Sequence, residues 1–181
     1  MKKRLLTEFI LLLGAGVLVF LDQLTKQLVS TNLTGGREIV VWDGVFKIVS
    51  HKNTGAVWGV MSGRTSLLSV FTVIILLGIL VISYRIKWEY KRFRILKIVL
   101  MFVTAGAIGN LIDRIRLNYV VDFLYFELID FPVFNVADCY ITVSMFLLVI
   151  LVLFYYKDED FSLIWPKKSQ SSATDSTTDS E

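Results

Sequence analysis

Apolar residues in this chain gather into long runs separated by polar stretches, and the length of those runs decides what they are. A bilayer core about 30 Å thick needs roughly 17–25 helical residues to cross it. Four segments qualify, at about 5–21, 65–84, 95–112 and 139–156. The first carries Glu8 near its start, and its uninterrupted part from Phe9 to Leu21 is short. The third begins beside Lys97 and ends in Gly106-Ala107-Ile108-Gly109-Asn110, small residues that let helices approach closely in a membrane. The predicted fold class is an all-α membrane protein, a four-transmembrane-helix bundle, with residues 1–160 as the membrane domain. Residues 161–181 are expected to be a disordered cytoplasmic tail, because Ser169 to Glu181 offers no large apolar residue to offset the entropy of ordering.

The polar stretches are patterned too. Ile39-Val40-Val41-Trp42-Asp43-Gly44-Val45-Phe46-Lys47-Ile48-Val49 sets an Asp-Gly pair between two β-branched and aromatic runs, a strong hairpin signal. Two strands alone are marginal, so the hairpin needs something to pack on. Between spans three and four, Tyr119, Phe123, Tyr125, Phe126, Phe131 and Phe134 make the loop from about Arg116 to Val136 rich in aromatic residues. An interfacial belt explains most of these rings.

Composition agrees with a bilayer setting: 55% of the 181 residues are hydrophobic and mean hydropathy is +0.64, above the usual range for a soluble domain. Two prolines exclude a collagen-like chain, and the lone Cys139 excludes an intramolecular disulfide framework. A pI near 9.0 could suggest nucleic acid. The basic residues instead sort by membrane side: Lys2, Lys3 and Arg4, then Arg85, Lys87, Lys91, Arg92, Arg94 and Lys97, then Lys157, Lys167 and Lys168. The positive-inside rule therefore puts both termini in the cytoplasm and predicts no nucleic-acid partner. The basic start and apolar run also resemble a secretory signal peptide, but Asp22-Gln23-Leu24-Thr25-Lys26 follows where a small-residue cleavage site is needed. Span one is accordingly read as retained.

That topology collects polar residues at the outer boundary from several spans: Asp22 after span one, Asn110, Asp113 and Arg114 at the end of span three, and Asn135 with Asp138 at the start of span four. Asn53, just before span two, joins them. Singly, each reads as ordinary anchoring. Together they need chemistry. Metal ligation wants several His or Cys side chains, and the chain has only His51 and Cys139. Carboxylate-only calcium or magnesium binding lacks a loop signature. A Cys139–His51 pair is conceivable, but a cysteine at the start of an apolar span usually packs as a small hydrophobe. Serine catalysis lacks its G-x-S-x-G elbow. The carboxylates Asp122, in Val120-Val121-Asp122-Phe123, and Asp138, in Asn135-Val136-Ala137-Asp138-Cys139, remain. If they meet, repulsion and desolvation make the pair share a proton, as peptide hydrolysis by aspartates requires. A proton-linked transporter using the same acids is the rival reading, weakened by the lack of ionisable groups in the middles of spans two and four.

Five stretches in order, Asp22-Gln23-Leu24-Thr25-Lys26, Asn53-Thr54-Gly55-Ala56-Val57-Trp58, Gly106 to Arg114, Val121-Asp122-Phe123 and Phe134 to Asp138, resemble the motif set of the lipoprotein signal peptidases, the type II signal peptidases of bacteria. The resemblance covers about residues 8–156. It implies an aspartic endopeptidase of the bacterial cell membrane, with Asp122 and Asp138 catalytic. It also implies that Asn53, Asn110, Arg114 and Asn135 line the site, and that Asp22 is structural. Gly35–Gly59 would form an extracytoplasmic cradle and the aromatic loop a lid over the substrate. The implied substrate is a prolipoprotein carrying diacylglycerol on its cysteine, cut on the amino side of that residue. No cofactor, metal or obligate protein partner is expected, and membrane lipid is. Arg114 keeps two readings: contact with a headgroup or substrate carbonyl, or a salt bridge to Asp113 or another acid.

Overall fold

The computed structural model describes residues 2–55, 63–87 and 90–165. The apolar runs become four helices: α1 (Lys2–Asn32), α2 (Thr65–Arg85), α3 (Arg94–Leu117) and α4 (Val136–Ile150). The last continues as a π-helical turn, Leu151–Tyr155. All four elements are long and apolar enough to cross a membrane. Helix α3 is the central one: 56% of its most apolar stretch is buried in the protein, against 6% for α1 and for α2. The remaining apolar surface, such as Phe9, Leu12, Ile74 and Leu80, is exposed and suited to lipid.

Two helix boundaries differ from the sequence expectation for a common reason. α1 runs to Asn32 instead of stopping at Leu21, so Asp22 lies within the helix and does not close it. Asp22 and Lys26 stand one turn apart and pair at 3.0 Å, so the charges are met inside the protein and the helix need not end. Val29 and Leu33 beyond them are buried under the sheet. α3 likewise continues past Ile112 to Leu117, because Asp113 is buried and partnered. It stops at Asn118, whose left-handed backbone (φ 62°) returns its N–H to the Arg114 carbonyl.

Close packing depends on two glycines. A Cβ on Gly109 would run into the Asp22 carboxylate and the Ala137 methyl, and one on Gly106 would strike the Ala137 carbonyl and Ile141. These positions therefore set how near α1 and α4 come to α3.

At the same end of the bundle lies an antiparallel sheet, β1 (Ile39–Trp42), β2 (Phe46–Asn53) and β3 (Val120–Phe126), in that spatial order. The expected Asp43-Gly44 hairpin forms, with Gly44 at φ 68°. β3 comes from the aromatic segment that the sequence pattern presented as an interfacial loop. Its alternation is hidden because Val120, Val121, Asp122 and Phe123 are all buried, between β2 on one side and α1 and α3 beneath. Residues Ala56 and Val57 to Trp58 of the Asn53 motif, and the end of the expected Gly35–Gly59 cradle, lie outside the described residues. At the far end of the bundle, Ile86, Phe93, Leu96, Leu100, Leu151 and Tyr156 form a second core. There α5 (Asp158–Ile164) is helical, four residues into the stretch from 161 expected to be disordered. Its Asp160 receives the Lys157 N–H at 2.8 Å and pairs with Arg92 at 3.0 Å, which ties the segment down. Residues 166–181 lie outside the described residues.

Candidate active site

Asp122 is fixed by strand pairing. It stands opposite His51 in the β2–β3 register, with Asn53 two residues along β2 on the same face. Asn53 Nδ2 reaches diagonally to Asp122 Oδ2 at 2.8 Å, and its Oδ1 accepts from the Gly55 N–H at 2.9 Å. Asp138 is fixed by helix capping. The chain leaves β3, returns along it through a Leu124–Phe134 bridge, and enters α4 with Asn135 as N-cap. Asn135 Oδ1 accepts from the Asp138 N–H at 3.0 Å, and Asp138 Oδ2 accepts from the Asn135 N–H at 3.1 Å. This reciprocal box places a carboxylate at the third helical residue, where Glu or Gln is usual.

Two asparagine side chains connect the acids. Asn135 Nδ2 donates to Asp122 Oδ1 at 2.6 Å and to Asn110 Oδ1 at 3.1 Å, while Asn110 Nδ2 donates to Asp138 Oδ1 at 2.8 Å. Every carboxylate oxygen of Asp122 and Asp138 thus receives at least one N–H, always from an uncharged group. Asp122 is almost wholly buried, at 1% exposure. Burial first, and the charge of Asp138 second, push its pKa up to about 6, against the opposing donors Asn53 and Asn135.

Beside this pair lies a second group that sequence reasoning did not assign a functional role: Gln23, Lys26 and Asp113, together with Asp22. The buried Lys26 ammonium sits 3.0 Å from Asp22 Oδ2, 3.1 Å from Asp113 Oδ2 and 2.9 Å from Asn110 Oδ1. Asp22 Oδ1 also accepts the Ala137 N–H at 3.0 Å, Asp113 Oδ2 accepts the Val121 N–H at 3.1 Å, and Gln23 Nε2 donates to Asp113 Oδ1 at 2.9 Å. One cluster therefore ties α1, α3, β3 and the start of α4 together. The sequence signal available for it was the Asp22, Lys26 spacing of four on a helix. Asp113 goes to Lys26, so Arg114 does not form the salt bridge to Asp113 that one reading allowed. No hydrogen-bond partner is found for the buried Arg114 Nε.

A cleft of about 1270 Å³ opens at the acids. Asn53, Asn110, Arg114, Asp122 and Asp138 line its polar head, with His51 and Cys139. Ile75, Val103, Ala107, Ile141 and Met145 carry it down between α2, α3 and α4. An apolar trough with a few convergent polar groups at one end suits a ligand that is itself largely apolar. Of the residues singled out from sequence, Asp22 and Asp113 stay away from the cleft. Asn135 is also absent from the cleft lining, being wholly buried behind the acids it joins. Among the described residues, no group of three or more His, Cys, Asp or Glu side chains is placed to hold a metal ion.

The chain is similar to known bacterial proteins. It is 46% identical over 138 residues to a lipoprotein signal peptidase of Shouchella clausii, covering 75% of this chain and 89% of that one. Over 155 residues it is 36% identical to that of Staphylococcus haemolyticus, covering 84% and 96%. Two solved structures described as bacterial membrane enzymes superpose with TM-scores of 0.71 and 0.69, at 32% and 34% identity. They cover 90% and 81% of this chain, and 94% of each of theirs. Residues 14–154 match the sequence model described as signal peptidase (SPase) II, a span that takes in most of α1, all of α2 to α4, the sheet and both cleft aspartates. The chain belongs to the signal peptidase II family.

Proposed function

We propose that this chain is a membrane aspartic endopeptidase that removes signal peptides from diacylglyceryl-modified prolipoproteins, cutting on the amino side of the lipidated cysteine. The observation that carries the reading is the pair of carboxylates, served only by neutral donors, at the head of an apolar cleft between transmembrane helices. A signal peptide is an apolar helix. It enters such a trough from the bilayer and brings its scissile bond to the polar end.

Asp122 and Asp138 are the catalytic residues. The pair shares one proton, as burial and the neighbouring Asp138 charge push the pKa of Asp122 up to about 6, and the reaction starts from the state with that proton on Asp122. Asp138 takes a proton from the attacking water while Asp122 protonates the scissile carbonyl oxygen, giving a neutral gem-diol. In the second step Asp122 takes a proton back from one hydroxyl, and Asp138 gives its proton to the leaving nitrogen as the C–N bond breaks. Both carboxyl groups return to their starting states. Asn53, Asn110 and Asn135 hold the carboxylate planes through this exchange, and the Arg114 guanidinium meets a carbonyl or headgroup oxygen of the substrate. Asp22 serves structure.

The cleft faces outward and both termini lie in the cytoplasm. Supporting this orientation, Arg85, Arg92, Arg94 and Lys97 occupy the end of the bundle opposite the sheet. In a bacterial cell membrane, that puts the acids on the side where exported precursors emerge.

Purified protein in detergent, given a synthetic precursor peptide with and without diacylglycerol on its cysteine, tests the proposal by mass spectrometry. Only the lipidated peptide should be cut, and the product should begin with the modified cysteine. Equal cutting of both forms, or a cut elsewhere, would contradict the stated substrate.

A further inference from the structure

Which way round the Asn110 side chain sits decides whether Asp138 receives a hydrogen bond or faces a second oxygen. An asparagine amide has an acceptor end and a donor end, and turning it over exchanges them. Asn110 Oδ1 faces two N–H groups, the Lys26 ammonium at 2.9 Å and Asn135 Nδ2 at 3.1 Å. Its Nδ2 faces the Asp138 carboxylate at 2.8 Å. The reversed amide would set donor against donor on one side and oxygen against carboxylate on the other. Asn135 needs no such help, since its Oδ1 is pinned by the Asp138 N–H in the helix cap.

The Lys26 side chain has three N–H bonds, and three oxygens surround it. Two belong to the carboxylates Asp22 and Asp113, which are enough to bolt α1 to α3. The third belongs to Asn110, which is the site's own link to Asp138. With 2% exposure, Lys26 lies behind the cleft wall and is absent from the cleft lining, so it touches no substrate.

We infer that Lys26 is a positioning residue for the peptidase reaction: its ammonium holds the Asn110 amide in the one orientation that donates to Asp138, and so acts on the chemistry through Asn110. This rests on the dyad reading above. It distinguishes Lys26 from Asp22 and Asp113, which share the ion cluster but whose hydrogen bonds come from Lys26, Gln23 and backbone N–H groups. A purely structural lysine would serve those two acids alone.

The test is a double-mutant cycle of Lys26→Met and Asn110→Ala, with kcat and KM measured separately on the lipidated precursor peptide. Each single variant should lower kcat by roughly 10–100-fold with KM changed by less than about threefold, since the lost contact serves the reacting group and not the bound peptide. The double variant should be no more than about threefold below the worse single one, because both substitutions break one path. Lys26→Met leaves two buried carboxylates facing each other. The cycle is therefore repeated on Asp113→Asn, where adding Lys26→Met returns the cluster to the wild-type net charge of −1 and leaves no pair of facing carboxylates. Losses that multiply in both backgrounds, or a rise in KM at constant kcat, would overturn the role of Lys26 while leaving the dyad intact. Failure of the wild type to cleave, or full activity of Asp138→Asn, would instead overturn the dyad and this role with it.

Discussion

Two pairs of buried carboxylates lie side by side at one end of this bundle, and their surroundings separate what each can do. Asp22 and Asp113 share the Lys26 ammonium and also accept the backbone N–H groups of Ala137 and Val121. A cation sits between them, and the two acids with their partners tie together four elements, α1, α3, β3 and α4. Asp122 and Asp138 receive hydrogen bonds from amides and backbone only, and they face the cleft. With no cation in contact, burial and the charge of Asp138 push the pKa of Asp122 up to about 6. The same residue type thus builds a structural bolt in one place and, in the proposed mechanism, an acid–base couple beside it. The difference is made by one lysine.

The comparison breaks first at the packing that brings the two pairs together. Gly109→Ala places a methyl group against the Asp22 carboxylate and Ala137. It should cost about 1–3 kcal/mol of stability, read as a lowered thermal midpoint in detergent. Gly78→Ala in α2, where an added Cβ meets nothing within 4 Å, should be neutral or mildly stabilising.

A smaller effect sharpens the contrast between the acids. Asp122 has its folded pKa near 6, above the ordinary carboxylate value, so its protonated form is the one favoured by folding and the one the proposed mechanism uses. On raising the pH through about 6 the proton is lost. kcat/KM should then fall up to tenfold per pH unit along an alkaline limb above about 6, whereas Asp122's contribution to stability declines as the pH rises from about 4 to about 6 and is gone beyond it. A pH–rate profile together with melting at pH 5 and pH 7.5 checks both. A profile flat from pH 5 to 8 would mean that no such proton is needed.

Much of this arrangement was legible in the sequence, and the gaps have physical causes. The four helices and the Asp43-Gly44 hairpin follow from apolar run length and turn chemistry. The extension of α1 past Asp22 was hidden because a charge at the end of an apolar run looks like an exit from the membrane, unless its partner, here Lys26, is known to be buried with it. β3 was hidden because a strand buried on both faces shows no alternation, and Val120 to Phe123 is such a strand. Asp122 and Asp138 stood out as acids in apolar settings, and Asn53, Asn110 and Asn135 reach them as the motif order suggested. Lys26 and Gln23 were passed over within the Asp22 motif. Their importance lies in distances to Asp113 and Asn110 on another helix, which no local pattern reports.

The most direct test of the division between the two pairs is to replace Asp122, Asp138, Asp22 and Asp113 one at a time by asparagine, measuring kcat and the thermal midpoint of each purified variant. The account predicts that Asp122→Asn and Asp138→Asn lose roughly 10³-fold or more in kcat while melting like the wild type. Asp22→Asn and Asp113→Asn should melt several degrees lower, because both oxygens of each acid accept from donors and an asparagine must set its N–H groups against one of them, the Ala137 N–H or the Gln23 amide where its oxygen keeps Lys26. Cleavage retained by Asp122→Asn or Asp138→Asn, or a wild-type midpoint in both Asp22→Asn and Asp113→Asn, would contradict it.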